Sequence, residues 1–324
     1  MKKIIHSTAF ILLAASIFIS CKKDIAPPVD NTTVGNVSLV STAGFTSFKG
    51  TTDVAEETIS VITVQLEGGV KAKTDLTFTL QLDPSLIAAY NTAHSSNYVD
   101  MPGATYQLPA TLTVTIPKDA SQASLPVKLL KTNFDFTKKY ALGFTILSAP
   151  NGITVSSAAR SAVVEIDVRS KYDGVWTMNG VINDVTNSTI SAQSNATIAL
   201  RTTGLNTVEM MDMTTPGWQY YTLPYIPIRA GVSSSNYVEF APVFNFNNAT
   251  NKIISVANNP VYGNPAPMTT RGGLIDPSGF NDFSINGSGK EIRAKFIMTQ
   301  PNIVTTAPYH RTYFDMTLSY VGPR

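Results

Sequence analysis

The chain is predicted to be all-β: an N-terminal immunoglobulin-like β-sandwich followed by a second antiparallel β domain. Three observations predict this. Apolar residues recur at every second position along most of the chain, alternating with Thr, Ser and Gln. That period puts alternate side chains on opposite faces of a strand, one packed and one wet. The alternating runs are short and are separated by turns rich in Gly, Pro and Asn, the spacing of sandwiches and barrels. Only one stretch carries a helix signature, and no period of roughly 20 to 50 residues recurs, which argues against a solenoid or propeller.

At the N-terminus Lys2 and Lys3 precede an apolar run, Ala9 to Ile19, broken only by Ser16. The run is too short to span a bilayer, which takes roughly 20 apolar residues, and it reads as the core of a secretory signal over residues 1–20. It stops at Ser20-Cys21, and Cys21 is the only cysteine of the chain. This junction resembles the bacterial lipoprotein lipobox, with Phe18 where Leu is usual. The resemblance implies cleavage before Cys21, acylation of its thiol, and a lipid anchor at the mature N-terminus. The alternative is an ordinary secreted protein with Cys21 as a stray thiol. Residues 21–36, with Pro27-Pro28 and Asp30-Asn31-Thr32-Thr33, read as a flexible tether.

Composition narrows the function. Two of the 24 basic residues leave with the signal, and those that remain balance the 22 acidic ones. Such a chain has no basic field to steer it to nucleic acid. One cysteine permits no intrachain disulfide and no cysteine metal cluster. A length of 324 residues suits two domains, each able to bury its own core.

The first domain is placed at residues 37–168. Its strands are read at Val37–Val40, Ile59–Leu66, Leu76–Leu82, Leu112–Ile116, Ala123–Leu130, Tyr140–Leu147 and Ala162–Val168. Seven short alternating strands form the immunoglobulin-like pattern. The helix signature lies between the third and fourth: Asp83 stands as N-cap, Pro84 at the first helical position, and one or two turns run to Asn91. Pro117-Lys118-Asp119-Ala120 reads as a turn. The aspartate-headed helix with its Tyr90-Asn91 pair, Tyr98, Met101-Pro102, the strand ending Val114-Thr115-Ile116-Pro117 and the run Ser124-Leu125-Pro126-Val127-Lys128-Leu129 resemble the Bacteroidota domain of unknown function 1735. The resemblance covers about 130 residues. Met101 stands where Leu is commoner, and Lys118-Asp119-Ala120 where a Gly-containing turn is usual. It implies a surface lipoprotein of a glycan-utilisation locus, whose partners are a glycan and an outer-membrane transporter complex.

The boundary is read at Arg169-Ser170-Lys171, and the second domain at residues 171–324. Its strands are read at Val175–Ile182, Ala196–Arg201, Val208–Met213, Tyr237–Phe246, Ile253–Val256, Glu291–Met298 and Thr312–Tyr320, with turns such as Asn286-Gly287-Ser288-Gly289. Gly174-Val175-Trp176, with Gly180 beyond it, looks like the start of a lipocalin- or calycin-type barrel, where a tryptophan closes one end. A second sandwich fits this pattern equally. Trp176 is expected in the core, as are Tyr237, Phe240, Phe244 and Phe246.

Catalysis finds little support. The acids of the second domain, among them Asp173, Asp184, Glu209, Asp212 and Asp315, are scattered, whereas glycoside hydrolysis needs two carboxylates flanking one bond. Glu209 and Asp212 lie on opposite faces of a regular strand and read as solvated charges. No G-x-S-x-G elbow is present, and His94 and His310 read as a loop and a strand-edge residue. Neither a calcium loop nor paired histidines offer a metal or cofactor site. The expected catalytic and metal residues are therefore none.

What remains is aromatic. Trp218, Gln219, Tyr220, Tyr221 and Tyr225 fall in a run bounded by Pro216-Gly217 and Pro224. Flat amphipathic rings bury the C–H faces of sugars while polar neighbours bond the hydroxyls. The alternative is that some of these rings fill the core. The expectation is a non-catalytic, lipid-anchored surface protein that captures a polysaccharide or oligosaccharide for an outer-membrane import system. Its competitors are a structural or adhesive lipoprotein that binds protein partners, and an accessory protein of a glycoside hydrolase.

Overall fold

A computed structural model describes residues 33–190, 192–213, 226–230, 233–237, 240–259, 271–287 and 289–324. The strands of the first half are β1 (Gly35–Leu39), β2 (Phe45–Thr51), β3 (Glu56–Leu66), β4 (Leu76–Leu82), β5 (Val99–Asp100), β6 (Tyr106–Gln107), β7 (Thr113–Ile116), β8 (Gln122–Leu130), β9 (Tyr140–Ser148), β10 (Ile153–Val155) and β11 (Ser161–Arg169). They form two sheets, ordered β10-β1-β3-β8-β6 and β2-β11-β9-β4-β7, with β5 beside β9. The period-two pattern explains the layering: in β4 Leu76, Phe78 and Leu80 are buried while Thr77 and Gln81 face water. These residues meet Val64, Leu66, Leu125 and Val127 of the opposite sheet in one core. Thr33, the first described residue, is buried, and its hydroxyl accepts from the Lys73 amide.

All seven strands expected here are present. Four strands are additions: β5, β6 and β10, of two or three residues each, and β2, which runs parallel to β11 at the edge of its sheet and has no buried residue, so it lacks the packed face that makes a strand legible. The helix is longer than expected: α1 spans Ser85–His94, and His94 is its last residue instead of part of a loop. Asp83 does cap it, its carboxylate accepting from the Ser85 amide at 3.1 Å. Ile87 packs on Ala141 and Val163, and Tyr90 stacks on Phe45. Asn91 clamps the following loop, donating to the Tyr98 carbonyl and accepting from its amide. In the turn after β7, Asp119 sits at φ 66, the left-handed position that glycine otherwise fills. No helix among the described residues is long and apolar enough to cross a membrane.

The second half is a closed barrel, which settles the choice between barrel and sandwich. Its strands are β12 (Gly174–Asp184), β13 (Ala192–Thr202), β14 (Thr207–Asp212), β15 (Ile226–Ala230), β16 (Ser233–Tyr237), β17 (Pro242–Asn247), β18 (Lys252–Asn258), β19 (Gly272–Ile275), β20 (Asp282–Asn286), β21 (Gly289–Thr299) and β22 (His310–Gly322). The pairings run β12-β13-β14-β17-β18-β20-β21-β22 and close from β22 back to β12. Every pair is antiparallel, so this is an eight-stranded up-and-down barrel. Closure leaves the barrel no free edge. β15 and β16 form a hairpin of their own, with β15 lying beside β13 and β14.

An eight-stranded barrel has room inside for packed side chains or for one small ligand. Here side chains fill it. Trp176, Phe244, Phe246, Phe296 and Phe314 are fully buried, and Phe240 and Phe296 each stack on Phe314. Each such ring contributes roughly 2–3 kcal/mol by leaving water. Trp176 is buried, as expected of it, and meets Tyr320 edge to face at 5.1 Å. The strand expected at Tyr237–Phe246 divides: Tyr237 ends β16 and a new strand starts at Pro242.

Candidate functional site

The barrel's two ends differ. At one end the connections are tight: residues 203–206 between β13 and β14, 248–251 between β17 and β18, and 287–288 between β20 and β21. This end faces the sandwich, because β11 passes into β12 through Ser170–Asp173. At the other end the connections are long: residues 185–191, 213–241, 259–271 and 300–309. Rigid strands carrying long loops at one rim are the usual arrangement of a recognition surface.

The expected ligand residues Trp218, Gln219, Tyr220, Tyr221 and Tyr225 lie outside the described residues, as does Cys21. The strands around the aromatic run are described: it connects the end of β14 at Asp212 to the start of β15 at Ile226. Around the same rim, Asp184 is buried and holds the end of β12. It accepts from the amide and hydroxyl of Thr186, at 2.8 and 2.7 Å, and from the Thr312 hydroxyl, at 2.9 Å, with Arg311 at 3.3 Å. Nδ1 of His310 lies 3.2 Å from the Tyr313 hydroxyl at the start of β22.

Glu209 and Asp212 are not the solvated charges the sequence implied; both are buried. Their opposite facing is as expected: Asp212 continues the inward row of Val208 and Met210, while Glu209 faces outward. Outward is not exposed here. Glu209 is covered by Arg201, its cross-strand neighbour, and by Asn259, whose amide donates to its carboxylate at 2.6 Å. Among the described residues no group of three His, Cys, Asp or Glu side chains could hold a metal ion.

A polar cleft of about 370 Å³ lies where sandwich meets barrel, lined among others by Lys138, Glu165, Asp167, Arg169, Arg201 and Arg324. Its charges are largely committed to one another. Arg169 donates to Asp167 at 2.8 Å and to the Arg324 main-chain oxygen at 2.9 Å, and Arg324 pairs with Asp173 at 3.2 Å. Asp173 also accepts from the amide and hydroxyl of Thr202, at 2.7 and 2.8 Å, and that hydroxyl in turn accepts from the Ser170 amide. The sequence showed Asp173 only as one scattered acid; no signal short of the fold marks it as the hub of the junction.

Glu165 on the cleft wall accepts from the Ser47 hydroxyl at 2.8 Å and from the Tyr98 phenol at 3.1 Å. Burial, and then the Glu165 carboxylate, push the Tyr98 phenol up to about 12. The ordinary value is about 10, so the neutral phenol is the form folding favours. Its stabilisation is present in full below pH 10 and is lost as pH rises from about 10 to about 12. Tyrosinate absorbance in a Tyr98→Phe variant should lack one late-titrating component of the wild type. Loss of a component near pH 10 instead would show that Tyr98 titrates as an ordinary surface phenol.

A family model of an N-terminal domain matches residues 30–153. No curated protein matches the chain. A protein of unknown function from Bacteroides ovatus superposes with a TM-score of 0.59 at 11% identity, covering 90% of this chain and 96% of that one. A multidomain protein including domain of unknown function 1735, also from Bacteroides ovatus, superposes with a TM-score of 0.50 at 11% identity, covering 88% and 92%. A structure from Bacteroides thetaiotaomicron described as an auxiliary nutrient binding protein gives a TM-score of 0.46 at 14% identity, covering 85% and 90%. For the first two, which span nearly the whole chain, the likeness is one of fold.

Proposed function

We propose that the chain is a lipid-anchored outer-membrane protein that captures a glycan at the cell surface without cleaving it, for delivery to an import complex. The observation that carries this reading is the barrel's asymmetry. Its interior is occupied by its own aromatic core, so a ligand is to be met outside. The long connections all leave the rim turned away from the sandwich, and the aromatic run 218–225 belongs to one of them. Cys21 would tether the chain through residues 21–36, and the sandwich would hold the barrel away from the membrane. The committed charges of the junction cleft favour a structural role for it over a ligand site.

The test is a binding screen of the soluble chain beginning after Cys21 against a panel of polysaccharides, beside a Trp218→Ala, Tyr220→Ala double variant. Two stacking rings are worth about 2 kcal/mol together, so the variant should bind about thirtyfold more weakly, with no reducing ends released by either protein. Equal binding by both proteins would move the site off the aromatic run. Absence of binding to every polysaccharide would favour a protein partner, and released reducing ends would make the protein an enzyme.

A further inference from the structure

Among the irregularities of the barrel wall, the one opposite Ala294 and Lys295 is a built one. Both β19 and β20 pair with β21, so they are one strand in two pieces, separated by residues 276–281 opposite Ala294 and Lys295. The ladder is bridged across the gap. The Asp276 amide donates to the Lys295 carbonyl at 2.9 Å, the Lys295 amide to the Asn281 side-chain oxygen at 2.7 Å, and the Asn281 side-chain amide to the Asp276 carbonyl at 2.7 Å. Asn281 is buried and takes φ 47. The Ser278 amide donates to the Asp276 carboxylate at 2.9 Å, and Lys295 Nζ to the Ser278 hydroxyl at 2.8 Å. Outward bulges that interrupt a strand commonly serve to aim a side chain.

The side chain aimed here is Phe280, which is 68% exposed. The Arg293 guanidinium lies 3.9 Å from its ring centroid, held in turn by Asp282 at 3.3 Å and Glu291 at 3.7 Å. One face of the ring is covered and the other is left to solvent. Beside it is a recess of about 250 Å³, whose lining includes Ser278, Arg293, Lys295, Asp315 and Thr317. The β21–β22 register sets Lys295 opposite Asp315 and Arg293 opposite Thr317, all on the outer wall. Asp315 is exposed, and its carboxylate has no hydrogen-bond or ion-pair partner among the described residues.

A single exposed phenylalanine carries no meaning by itself. A rigid loop holding an open ring over a recess with an uncommitted carboxylate is a preformed surface, and preorganisation lowers the entropic cost of binding. We propose that this recess is a second carbohydrate subsite, taking one neutral pyranose ring of the captured glycan. Its C–H face would stack on Phe280, and its hydroxyls would donate to Asp315 and bond Thr317. Neutrality follows from the charges: Arg293 and Lys295 are already paired with Asp282, Glu291 and Asp276, and Asp315 adds one negative charge. This inference rests on the glycan-binding reading above and places a second contact on the barrel wall.

The test titrates the full chain after Cys21 with neutral gluco-, manno-, xylo- and galacto-hexaoses and the matching polysaccharides, beside Phe280→Ala and Asp315→Asn variants. Both side chains are exposed, so melting curves should match the wild type. Each variant should bind the recognised sugar about five- to tenfold more weakly. If both bind like the wild type while Trp218→Ala, Tyr220→Ala loses binding, the subsite is overturned and the rim reading stands. Binding that survives the rim variant but falls with Phe280→Ala supports the subsite and removes the rim. No binding by the wild type overturns both. A Phe280→Ala effect confined to self-association in sedimentation overturns the subsite in favour of a protein contact.

Discussion

The Gly180→Ala variant is expected to be less stable than the wild type by about 2–4 kcal/mol, with the loss confined to the barrel. Gly180 stands in the inward row of β12, between Met178 and Ile182, where the pairing with β13 slips at a bulge. There the backbone of β22 comes so close that a Cβ would lie 2.1 Å from the Asp315 carbonyl oxygen and 2.8 Å from the Met316 sulfur. A carbonyl in a closed ladder cannot move aside as a flexible side chain can, so β12 and β22 would have to part where the ring of strands is joined. Gly322→Ala is the control, since a Cβ there meets nothing within 4 Å. Thermal unfolding of the two variants decides: if Gly180→Ala melts with Gly322→Ala, the close approach of β12 and β22 is wrong.

Asp173→Ala should be the other severe variant. The carboxylate is buried and accepts from both polar groups of Thr202 and from Arg324. Alanine would leave the Thr202 amide unsatisfied and the Arg324 guanidinium without its partner, at a cost of about 2–4 kcal/mol, discounted because Arg324 is partly solvated. The damage should reach the junction, since the Thr202 hydroxyl that Asp173 orients holds the Ser170 amide. Arg169 and Lys171 flank that residue, so trypsin should cleave the variant there at least about tenfold faster, tracking the population of the opened junction. Asp173→Asn keeps an acceptor for Thr202 and should lose less. Wild-type proteolysis of Asp173→Ala would mean that the junction is held elsewhere.

Which strands exist was legible in the sequence because half-buried strands must alternate. Leu76, Phe78 and Leu80 announce β4, and Trp176 with Met178 announces β12. Local chemistry likewise fixed the cap at Asp83 and the turn at Pro117–Ala120. Strands without a packed face escaped the reading: β2, at a sheet edge, and β20, whose Ile285 is 71% exposed while only Phe283 is buried. Without β20 seven barrel strands remain, and an all-antiparallel ring cannot close on an odd number. Closure is a matter of which strands pair across long separations in sequence, β12 with β22 above all, and no local periodicity encodes it. Burial on the outer wall is equally non-local. Glu209 faces outward as its position dictates, yet it is buried, because Asn259 from a distant strand end lies over it. The aromatic run was readable from composition alone. That the long connections gather at one rim, and that a split strand holds Phe280 out beside Asp315, only the folded barrel decides, because both depend on strand direction and register instead of on neighbouring residues.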